Sequence, residues 1–569
     1  MNPRTVRACK NVYKSDYLMA NIFKLLDLDE QIKILEVSKR CEYILKSFVW
    51  SETCAELTLH KTPYVNIVIQ NAKRETDLNE VRQSKVPLNH KKCVEFLYLN
   101  AKNIRKLIVH SEYYYYQQEV GVSFKNVQIF RNLTSLTYYR LILSDEQLQL
   151  VAKYCKKLQS LYILECFNEY LTTLIPGEHL NLDIVYDMDN LKDLEIHGDR
   201  EKKSILKSYN LQKVFQNLNL QRFVLRHFTI EDYETETLEK LNNTIEILDM
   251  GIIADSFWLG LRQYLKHFGQ LKELFITVND YNTTFDVQIV DVLERNCPQL
   301  ERLSLENCDL NVSDFRDLRN LQHLSLKSCG GLTFANFQQI LGALKLKSFT
   351  LINTRILGTI NHIYVAPSLE IMTIDTILFT QISDILQRSL NNFENLHTLR
   401  WMNGDINDNW IIDKCPQLRY LHIPNPYLLR RVVFTMKSLK ELSFSSCVNL
   451  SWRFIIILIR NLSLERLTLR TSEVINNDKD IPLNACGIRT TLQLITIPWA
   501  IFKMAQEFWL DLMCLNEQLN LLIYGKHEEV LECIFLNELI CHDSFISRIK
   551  TIKICGLKLG KFKQNMSKK

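Results

Sequence analysis

One spacing of apolar residues recurs along most of this chain. It is clearest at Leu300, Leu303 and Leu305, and a cysteine, Cys308, follows the middle leucine by five residues. The alternation around the middle leucine predicts a short β-strand with one buried face. The cysteine is a small apolar residue that can fill the turn that leaves the strand. One such strand cannot bury its apolar face alone, so we expect the unit to stack against copies of itself.

Other cysteines also keep fixed positions in this pattern. Three more follow a middle position by five residues: Cys166, Cys329 and Cys447. Another three lie three residues before a first leucine: Cys155, Cys297 and Cys415. This regular placement predicts packing residues, with the first group in equivalent turns and without disulfides, and argues against a metal site.

The middle position of the pattern can be assigned in 18 units, at residues 107, 136, 161, 194, 223, 248, 274, 303, 324, 349, 372, 399, 421, 442, 467, 495, 522 and 552. The intervals average about 26 residues, which is the range of leucine-rich repeats. The pattern therefore predicts an α/β fold, a leucine-rich-repeat solenoid with the horseshoe shape and with parallel strands on its concave face. The unit length leaves room for helices between strands, for example at residues 286–295 and 334–341.

Residues 15–50 have a different, helical pattern. Three helices are predicted, with apolar faces at Leu18, Ile22, Phe23 and Leu26, at Leu28, Ile32 and Leu35, and at Cys41, Ile44, Leu45 and Phe48. Asp27 followed by Glu30 is typical of a capping box that opens the second helix. Three helices in about 40 residues are at the lower limit of independent folding. We therefore expect this segment to dock on its own solenoid or on another protein.

The helical segment resembles the F-box, the adaptor-docking motif of cullin-based ubiquitin ligases. The matching stretches are I-F-x-x-L-D-L at 22–28, V-S-K-R-C at 37–41, V-W at 49–50 and A-E-L-T-L at 55–59. The family's usual Leu-Pro is Lys14–Ser15 here, and its usual third-helix tryptophan is Cys41. The resemblance implies that an SKP1-like adaptor, and through it a cullin, binds at Ile22, Phe23, Leu26, Leu28, Ile32 and Trp50.

A helical head ahead of a repeat array resembles the F-box/leucine-rich-repeat family along nearly the whole chain. The predicted organisation is a leader at 1–14, an F-box-like head at 15–59, a connecting helix and loop at 60–95, about 18 repeats at 96–560 and a basic tail at 561–569. A solenoid can reach this length because each repeat contacts only its neighbours.

Composition narrows the range of functions. The net charge is +5 on 569 residues, which is too mild to indicate a nucleic-acid partner. The longest aliphatic run, at 454–459, is too short for a membrane span, so we expect no membrane partner. The N-terminal residues lack an apolar signal core, and the 16 cysteines are expected to be reduced thiols. These features favour a location in the cytoplasm, the nucleus or both.

No catalytic motif was found in the sequence. It contains no G-x-S-x-G, H-E-x-x-H or Walker loop, and its 16 Cys and 13 His form no paired C-x-x-C spacing. We therefore expect a protein that is not an enzyme and that has no cofactor and no metal.

The repeat geometry predicts a binding surface. Residues that flank the middle leucine point away from the core, along the concave face. One cluster mixes aromatic and arginine residues, the types that dominate binding energy at interfaces: Arg400, Tyr420, His422, Arg466 and Arg470. We predict that a protein target binds there. The competing interpretation is a solvated concave wall without a dedicated ligand.

Two hypotheses for function follow. The family resemblance implies the substrate-recognition subunit of an SCF-type E3 ubiquitin ligase, which holds a target near a ubiquitin-charged enzyme and does no chemistry itself. The alternative is a scaffold or binding protein outside the ligase system, in which the N-terminal helices only cap the solenoid.

Overall fold

A computed structural model describes most of the chain. The described residues are 15–26, 28–35, 37–53, 56–61, 65–70, 86–88, 98–111, 129–139, 142–143, 145–168, 183–198, 204–231, 241–252, 256–278, 288–310, 315, 317–354, 356–357, 366–375, 393–402, 415–423, 436–444, 451–461, 463–470, 482–485, 487–516, 518–524, 553–554 and 557–558. The predicted leader, the predicted basic tail, Cys447 and the predicted middle position Ile552 lie outside these residues.

The chain divides into two units, Met1–Leu300 and Glu301–Lys569. The helices of the first unit are α1 Asp16–Phe23, α2 Leu28–Leu35, α3 Lys39–Ile44, α4 Trp50–Thr53, α5 Asp145–Tyr154, α6 Ser208–Asn217, α7 Ser256–Leu265 and α8 Gln288–Asn296. Its strands are β1 Glu56–Lys61, β2 Val65–Gln70, β3 Val86–Leu88, β4 Lys106–Ser111, β5 Ser135–Tyr139, β6 Ile142–Leu143, β7 Ser160–Leu164, β8 Phe167–Asn168, β9 Asp193–His197, β10 Ser204–Lys207, β11 Arg222–Arg226, β12 Phe228–Glu231, β13 Ile247–Ile252 and β14 Glu273–Val278.

The second unit continues the same alternation of strands and connections. Its strands are β15 Arg302–Glu306, β16 His323–Lys327, β17 Leu332–Thr333, β18 Ser348–Ile352, β19 Ile356–Leu357, β20 Ile371–Ile374, β21 Thr398–Trp401, β22 Tyr420–Ile423, β23 Glu441–Phe444, β24 Arg466–Leu469, β25 Leu494–Pro498, β26 Asn520–Tyr524, β27 Lys553–Ile554 and β28 Leu557–Lys558. Its helices are α9 Phe334–Ala343, α10 Trp452–Arg460, α11 Trp499–Met504 and α12 Gln506–Leu515.

Within each unit the main strands are parallel and pair in the predicted register. In the first unit the ladder joins Leu107, Leu136, Leu161, Leu194, Phe223, Leu248 and Leu274. In the second it joins Leu303, Leu324, Phe349, Met372, Leu399, Leu421, Leu442, Leu467 and Ile495. All of these side chains are buried, so the predicted middle positions are confirmed. Stacking buries the apolar side that a single strand would leave in water.

Helices lie in several of the connections between strands. The two predicted as examples are present, since α8 covers most of residues 286–295 and α9 begins at Phe334. Thr333 caps α9 by accepting a hydrogen bond from the backbone N–H of Asn336.

A left-handed turn follows five of the strands. Glu165, His227, Asn307, Ser328 and Asn353 all have positive φ, and each follows a middle position by four residues. This conformation is uncommon for residues other than glycine. The backbone N–H groups of Glu165, Asn307 and Ser328 donate to carbonyls of the next strand at 3.0, 2.9 and 2.7 Å. These bonds continue the ladder through the turn and offset the strain.

The cysteines that follow this turn occupy equivalent places. The Sγ atoms of Cys166, Cys308 and Cys329 lie 3.4, 3.5 and 3.3 Å from the carbonyl oxygen two residues earlier. All three are free thiols, so the prediction is confirmed for the cysteines that the structure describes. Thr354 takes the same place after β18, and its hydroxyl donates to the carbonyl of Ile352 at 3.1 Å. In these four repeats the position holds a small side chain that bonds the preceding strand, whereas after His227 it holds the buried Phe228.

Polar side chains four residues before the middle position link successive repeats. Asn132 donates to the carbonyl of Lys102 at 2.9 Å, Asn190 to Lys156 at 2.8 Å and Asn395 to Pro367 at 2.7 Å. Ser438 makes the same type of bond to Pro416 at 2.7 Å. These bonds satisfy carbonyls at the start of each repeat, where the ladder has not yet begun.

Two expectations about the repeats are corrected. Residues 60–95 were expected to form a helix and loop, but β2 and β3 lie there, and β1 pairs in parallel with β4. Near the other end, Ile495 pairs with Leu521, so the middle position is Leu521 rather than Leu522. Residues 521–523 are all apolar and allow either frame, and only strand pairing selects one.

Candidate functional site

The helical head is built around a buried glutamine. Gln31 of α2 donates from Nε2 to the carbonyls of Phe23 and Leu26, at 3.0 Å in each case, and its Oε1 accepts from Trp50 Nε1 at 2.8 Å. These bonds tie the end of α1 and the start of α4 to α2. Arg40 of α3 also binds Asp16 of α1, with its Nη2 2.7 Å from Oδ1. The sequence analysis did not single out Gln31, although a polar residue between apolar helical positions is a signal for a buried bond.

A π-helical turn at Leu45–Val49 joins α3 to α4 and changes which side chains face inward. Cys41, Ile44 and Leu45 are buried as predicted. The predicted apolar face continued at Phe48, but the next buried residues are Val49 and Trp50. The wider turn inserts a residue into the helical repeat, which rotates all residues that follow. Phe48 is therefore exposed and its ring contacts that of Tyr43, with 5.7 Å between centroids.

The predicted adaptor-binding residues divide into interior and surface positions. Phe23 and Trp50 are only 4% and 0% exposed, so they form the core of the head and cannot touch a partner in this conformation. Ile22 is exposed, and Leu26 and Ile32 are half-buried. The side chain of Leu28 and the predicted capping residue Asp27 lie outside the described residues.

Other apolar side chains of the head are exposed. We define the head apolar set as Tyr17, Leu18, Ile22, Leu25, Val37, Tyr43 and Phe48. Leu18, Ile22 and Leu25 are spaced by four and three residues, so they lie on one side of α1 and its last turn. Seven of the eleven large apolar side chains that are exposed among the described residues belong to this set. The head thus fills its own core and still presents apolar surface to solvent.

The open face of each sheet carries the residues just before and just after the middle positions. In the first unit this face is a lattice of paired charges. Arg222 lies 2.8 Å from Asp193 Oδ1 and 2.6 Å from Glu195 Oε2, and His197 Nε2 lies 2.9 Å from Glu195 Oε1. Arg226 pairs with Asp249. The acidic partner of each arginine lies on a neighbouring strand, so the pattern within one repeat does not reveal these pairs.

The lattice controls the ionisation of its carboxylates. Burial alone would raise the pKa of Glu195, but the adjacent side chains of His197 and Arg222 outweigh it and lower the pKa to about 2. Burial and a hydrogen bond to Asp193 raise the pKa of Tyr162 to about 12. Near neutral pH the carboxyl group of Glu195 is therefore ionised, and the phenol of Tyr162 keeps its proton.

In the second unit the open face brings together the predicted target-binding residues. The strands β21 to β24 pair in register, which puts Arg400, His422, Ser443 and Thr468 in one row across the sheet. The guanidinium of Arg400 lies over the ring of Tyr420, 5.3 Å from its centroid. His422 Nδ1 lies 3.0 Å from Ser443 Oγ. Arg466 belongs to the neighbouring row, where its Nη1 is 3.4 Å from Glu441 Oε1.

His422 is the electrostatic centre of this row. It is 6% exposed, and burial together with the positive charges of Arg470 and Arg400 lowers its pKa to about 4. The imidazole is therefore neutral at physiological pH. Four of the five predicted residues, Arg400, Tyr420, His422 and Arg470, thus form one cluster, and Arg466 lies beside it in an ion pair.

Metal-ligand groups, reactive thiols and membrane-crossing helices can each be checked in the described residues. They include no group of three His, Cys, Asp or Glu side chains that could hold a metal ion. Burial raises the pKa of Cys155, Cys297 and Cys415 to about 12, which removes them as nucleophiles near neutral pH. None of the helices in this part of the chain combines the length and apolar character that a membrane crossing requires.

A polar groove lies at the edge of the second unit where the strands begin. Its volume is about 530 Å³, and it is lined by Lys440, Ser463, Glu465, Thr491, Gln493, Gln518 and Asn520. Lys440 Nζ lies 3.0 Å from Glu465 Oε1, so the charges in the groove neutralise each other. Several of these side chains already form hydrogen bonds between repeats, which indicates that the groove has a structural role.

Comparison with known proteins gives only distant likenesses. No protein-family profile and no curated protein matches the chain. Among solved structures, it is similar to an internalin of Listeria monocytogenes, with 13% identity, a TM-score of 0.27 and coverage of 67% of this chain and 85% of that one. It is also similar to the leucine-rich-repeat ectodomain of the receptor kinase GASSHO1/SCHENGEN3 from Arabidopsis thaliana, with 15% identity, a TM-score of 0.34 and coverage of 79% and 52%. A third likeness is to TLR13 in its complex with ssRNA13, with 14% identity, a TM-score of 0.37 and coverage of 80% and 68%.

Likeness at this level carries no information about ligands. The fold rests on the chain's own parallel strands, their in-register leucines and the repeated turn. Each unit is a run of leucine-rich repeats.

Proposed function

We propose that this protein is the substrate-recognition subunit of an SCF-type E3 ubiquitin ligase. The head binds an SKP1-like adaptor, and through it a cullin, while the repeats hold a protein target. The subunit is not itself catalytic. It acts by proximity, because a bound target is kept near a ubiquitin-charged enzyme. The proposal includes a location in the cytoplasm or nucleus, where that machinery works.

The observation that carries the proposal is the head apolar set. A helical segment that only caps a repeat array needs a polar outer face for solubility. Here the head has a complete core of its own and still exposes Leu18 and Ile22 on one side of α1. Exposed apolar side chains concentrated in so small a unit indicate a surface for a protein partner.

Binding of purified SKP1-like adaptor to the full-length chain tests the proposal. The variant Leu18→Asp with Ile22→Asp should bind at least about thirtyfold more weakly, because loss of an apolar anchor costs about 2 kcal/mol or more. The matched control is Asn21→Asp, which adds a charge to the same exposed helix and should bind like the wild type. Phe23→Ala is unsuitable as a contact test because it removes a core side chain.

Failure of the wild-type chain to bind adaptor at micromolar concentration would contradict the ligase role. The head would then be interpreted as a cap, and the protein as a repeat scaffold. Equal losses in the double variant and the Asn21→Asp control would show that charge on α1, and not the apolar contact, affects binding.

A further inference from the structure

The arginines on the open face differ in whether a carboxylate neutralises them. Arg222 and Arg226 in the first unit, and Arg466 in the second, each pair with an acidic side chain. Arg400 and Arg470 are exposed and form no ion pair with any described residue. Among the described residues of the second unit, Arg466 is therefore compensated by a carboxylate, whereas Arg400 and Arg470 are not.

These two charges converge on one buried, neutral group. Both Arg400 and Arg470 are close enough to His422 to disfavour its protonated form. His422 contributes no positive charge of its own, and its Nε2 is buried without a hydrogen-bond partner among the described residues. When Ser443 Oγ donates to Nδ1, the ring proton lies on Nε2, which leaves a donor with no acceptor. An acceptor with negative charge would satisfy all three groups.

The site is also partly ordered before any ligand arrives. The guanidinium of Arg400 is held over Tyr420, so less side-chain entropy is lost when it binds an anion. Arg400 lies on β21 and Arg470 directly follows β24, which corresponds to about 14 Å across three strand spacings. An extended peptide of about four residues spans that distance.

We infer that an anionic segment of a protein target, acidic or phosphorylated, binds across β21 to β24, with its negative group over His422 between Arg400 and Arg470. This inference rests on the proposed function only in identifying the bound segment as part of a ligase target. Binding of the segment itself does not require the adaptor. The charge complementarity of two unpaired guanidinium groups selects an anion. The length of the row, which exceeds that of a single small anion, selects an extended segment.

Fluorescence anisotropy with the full-length chain tests the inference. The probes are labelled serine–glycine peptides that differ at one central position, which is phosphoserine, glutamate or serine. The phosphoserine or glutamate peptide should bind at least about tenfold more tightly than the serine peptide, and the two anionic peptides together distinguish a phosphoryl from a carboxylate source. High salt should weaken binding.

Variants locate the site. Arg400→Gln and Arg470→Gln should each weaken binding of the preferred anionic peptide about tenfold or more. Arg453→Gln, an exposed residue of α10, makes the same change in net charge and should leave binding unchanged. Arg400→Lys keeps the charge but loses the planar fork, so it should fall between the wild type and Arg400→Gln. Circular dichroism confirms that each variant is folded, which these exposed positions permit.

Three results would overturn the inference: equal binding of anionic and neutral peptides, equal losses in Arg453→Gln and Arg400→Gln, or tighter binding of a single-stranded RNA oligonucleotide than of either anionic peptide. The adaptor experiment is separate. If the chain binds the anionic peptide but not the adaptor, only the ligase proposal is contradicted. If it binds the adaptor but not the peptide, only this inference is contradicted.

Discussion

At the scale of single residues, burial and neighbouring charge decide what each polar side chain can do. Glu195 and His422 lie on open faces of the same kind, yet one is a permanent anion and the other a neutral base. The difference arises because Glu195 accepts a hydrogen bond from the guanidinium of Arg222, whereas His422 is buried near two arginines. The same type of position therefore gives opposite electrostatics in the two units.

His422 should make the stability of the second unit depend on pH. Its pKa falls from the ordinary 6.5 to about 4 on folding, so the unfolded chain binds more protons between these values. The contribution of His422 to the free energy of unfolding is therefore fully present above its pKa in the unfolded chain. It is lost as the pH falls through the pKa of His422 in the folded chain. Between pH 7 and pH 4 the loss should be on the order of 2 kcal/mol.

Urea unfolding of the wild type and of His422→Asn over this pH range measures the effect. Asparagine cannot titrate but can still bond Ser443, so the variant should lose less stability on acidification. Parallel pH curves for the two proteins would show that His422 does not titrate as stated.

At the scale of elements, the head depends on one polar centre. Gln31 satisfies two carbonyls at the end of α1 and the indole of Trp50, all within a small core. A unit of this size buries little apolar surface, so its stability is marginal. The π-helical turn that orients Trp50 toward Gln31 also turns Phe48 outward, so the core and the exposed surface of the head arise together.

Gln31→Ala should unfold the head selectively. The change leaves buried polar groups unsatisfied, at about 1–3 kcal/mol each. Hydrogen exchange should show lost protection across α1 and α2, while the strands of the second unit keep theirs. Asn21→Ala, on the exposed side of α1, is the matched control and should not change exchange in α2. Unchanged protection in Gln31→Ala would show that the glutamine bonds are dispensable.

At the scale of the whole molecule, stability is distributed along arrays of repeats. Each strand contacts its sequence neighbours, so a defect acts first on adjacent repeats. The turn with positive φ and the cysteine or threonine after it recur at the same offset in both units. Repetition of a local geometry, rather than one central core, holds the strands in register.

Leu303→Ala should destabilise the second unit locally. A buried leucine changed to alanine costs about 2–5 kcal/mol, and Leu303 is fully buried on β15. Hydrogen exchange should show a larger loss of protection in β16 than in β24. Ser304→Ala, on the opposite side of the same strand, should have little effect. A uniform loss along the second unit would indicate one globally cooperative domain.

The register of most repeats can be predicted from the amino-acid sequence alone. An apolar residue at the middle position is buried on the same face in the described repeats, and the period-two pattern of a strand leaves one frame at Leu303, Leu324 or Leu442. The sequence determined the helices of the head and the equivalent cysteine turns for the same reason, because these features depend on neighbours within a few residues. It also identified most of the cluster around His422, since the offset from the middle leucine fixes which side of the sheet a residue occupies.

Other features depend on residues that are far apart in the chain, and these became visible only in the folded protein. The choice of Leu521 over Leu522 needed the pairing with Ile495, and the strands before β4 needed a partner to form. The π-helical turn set which apolar residues of the head are core and which are surface. Arg222 forms an ion pair, whereas Arg400 forms none with any described residue. This difference depends on side chains a whole repeat away, which the periodicity of the sequence does not reveal.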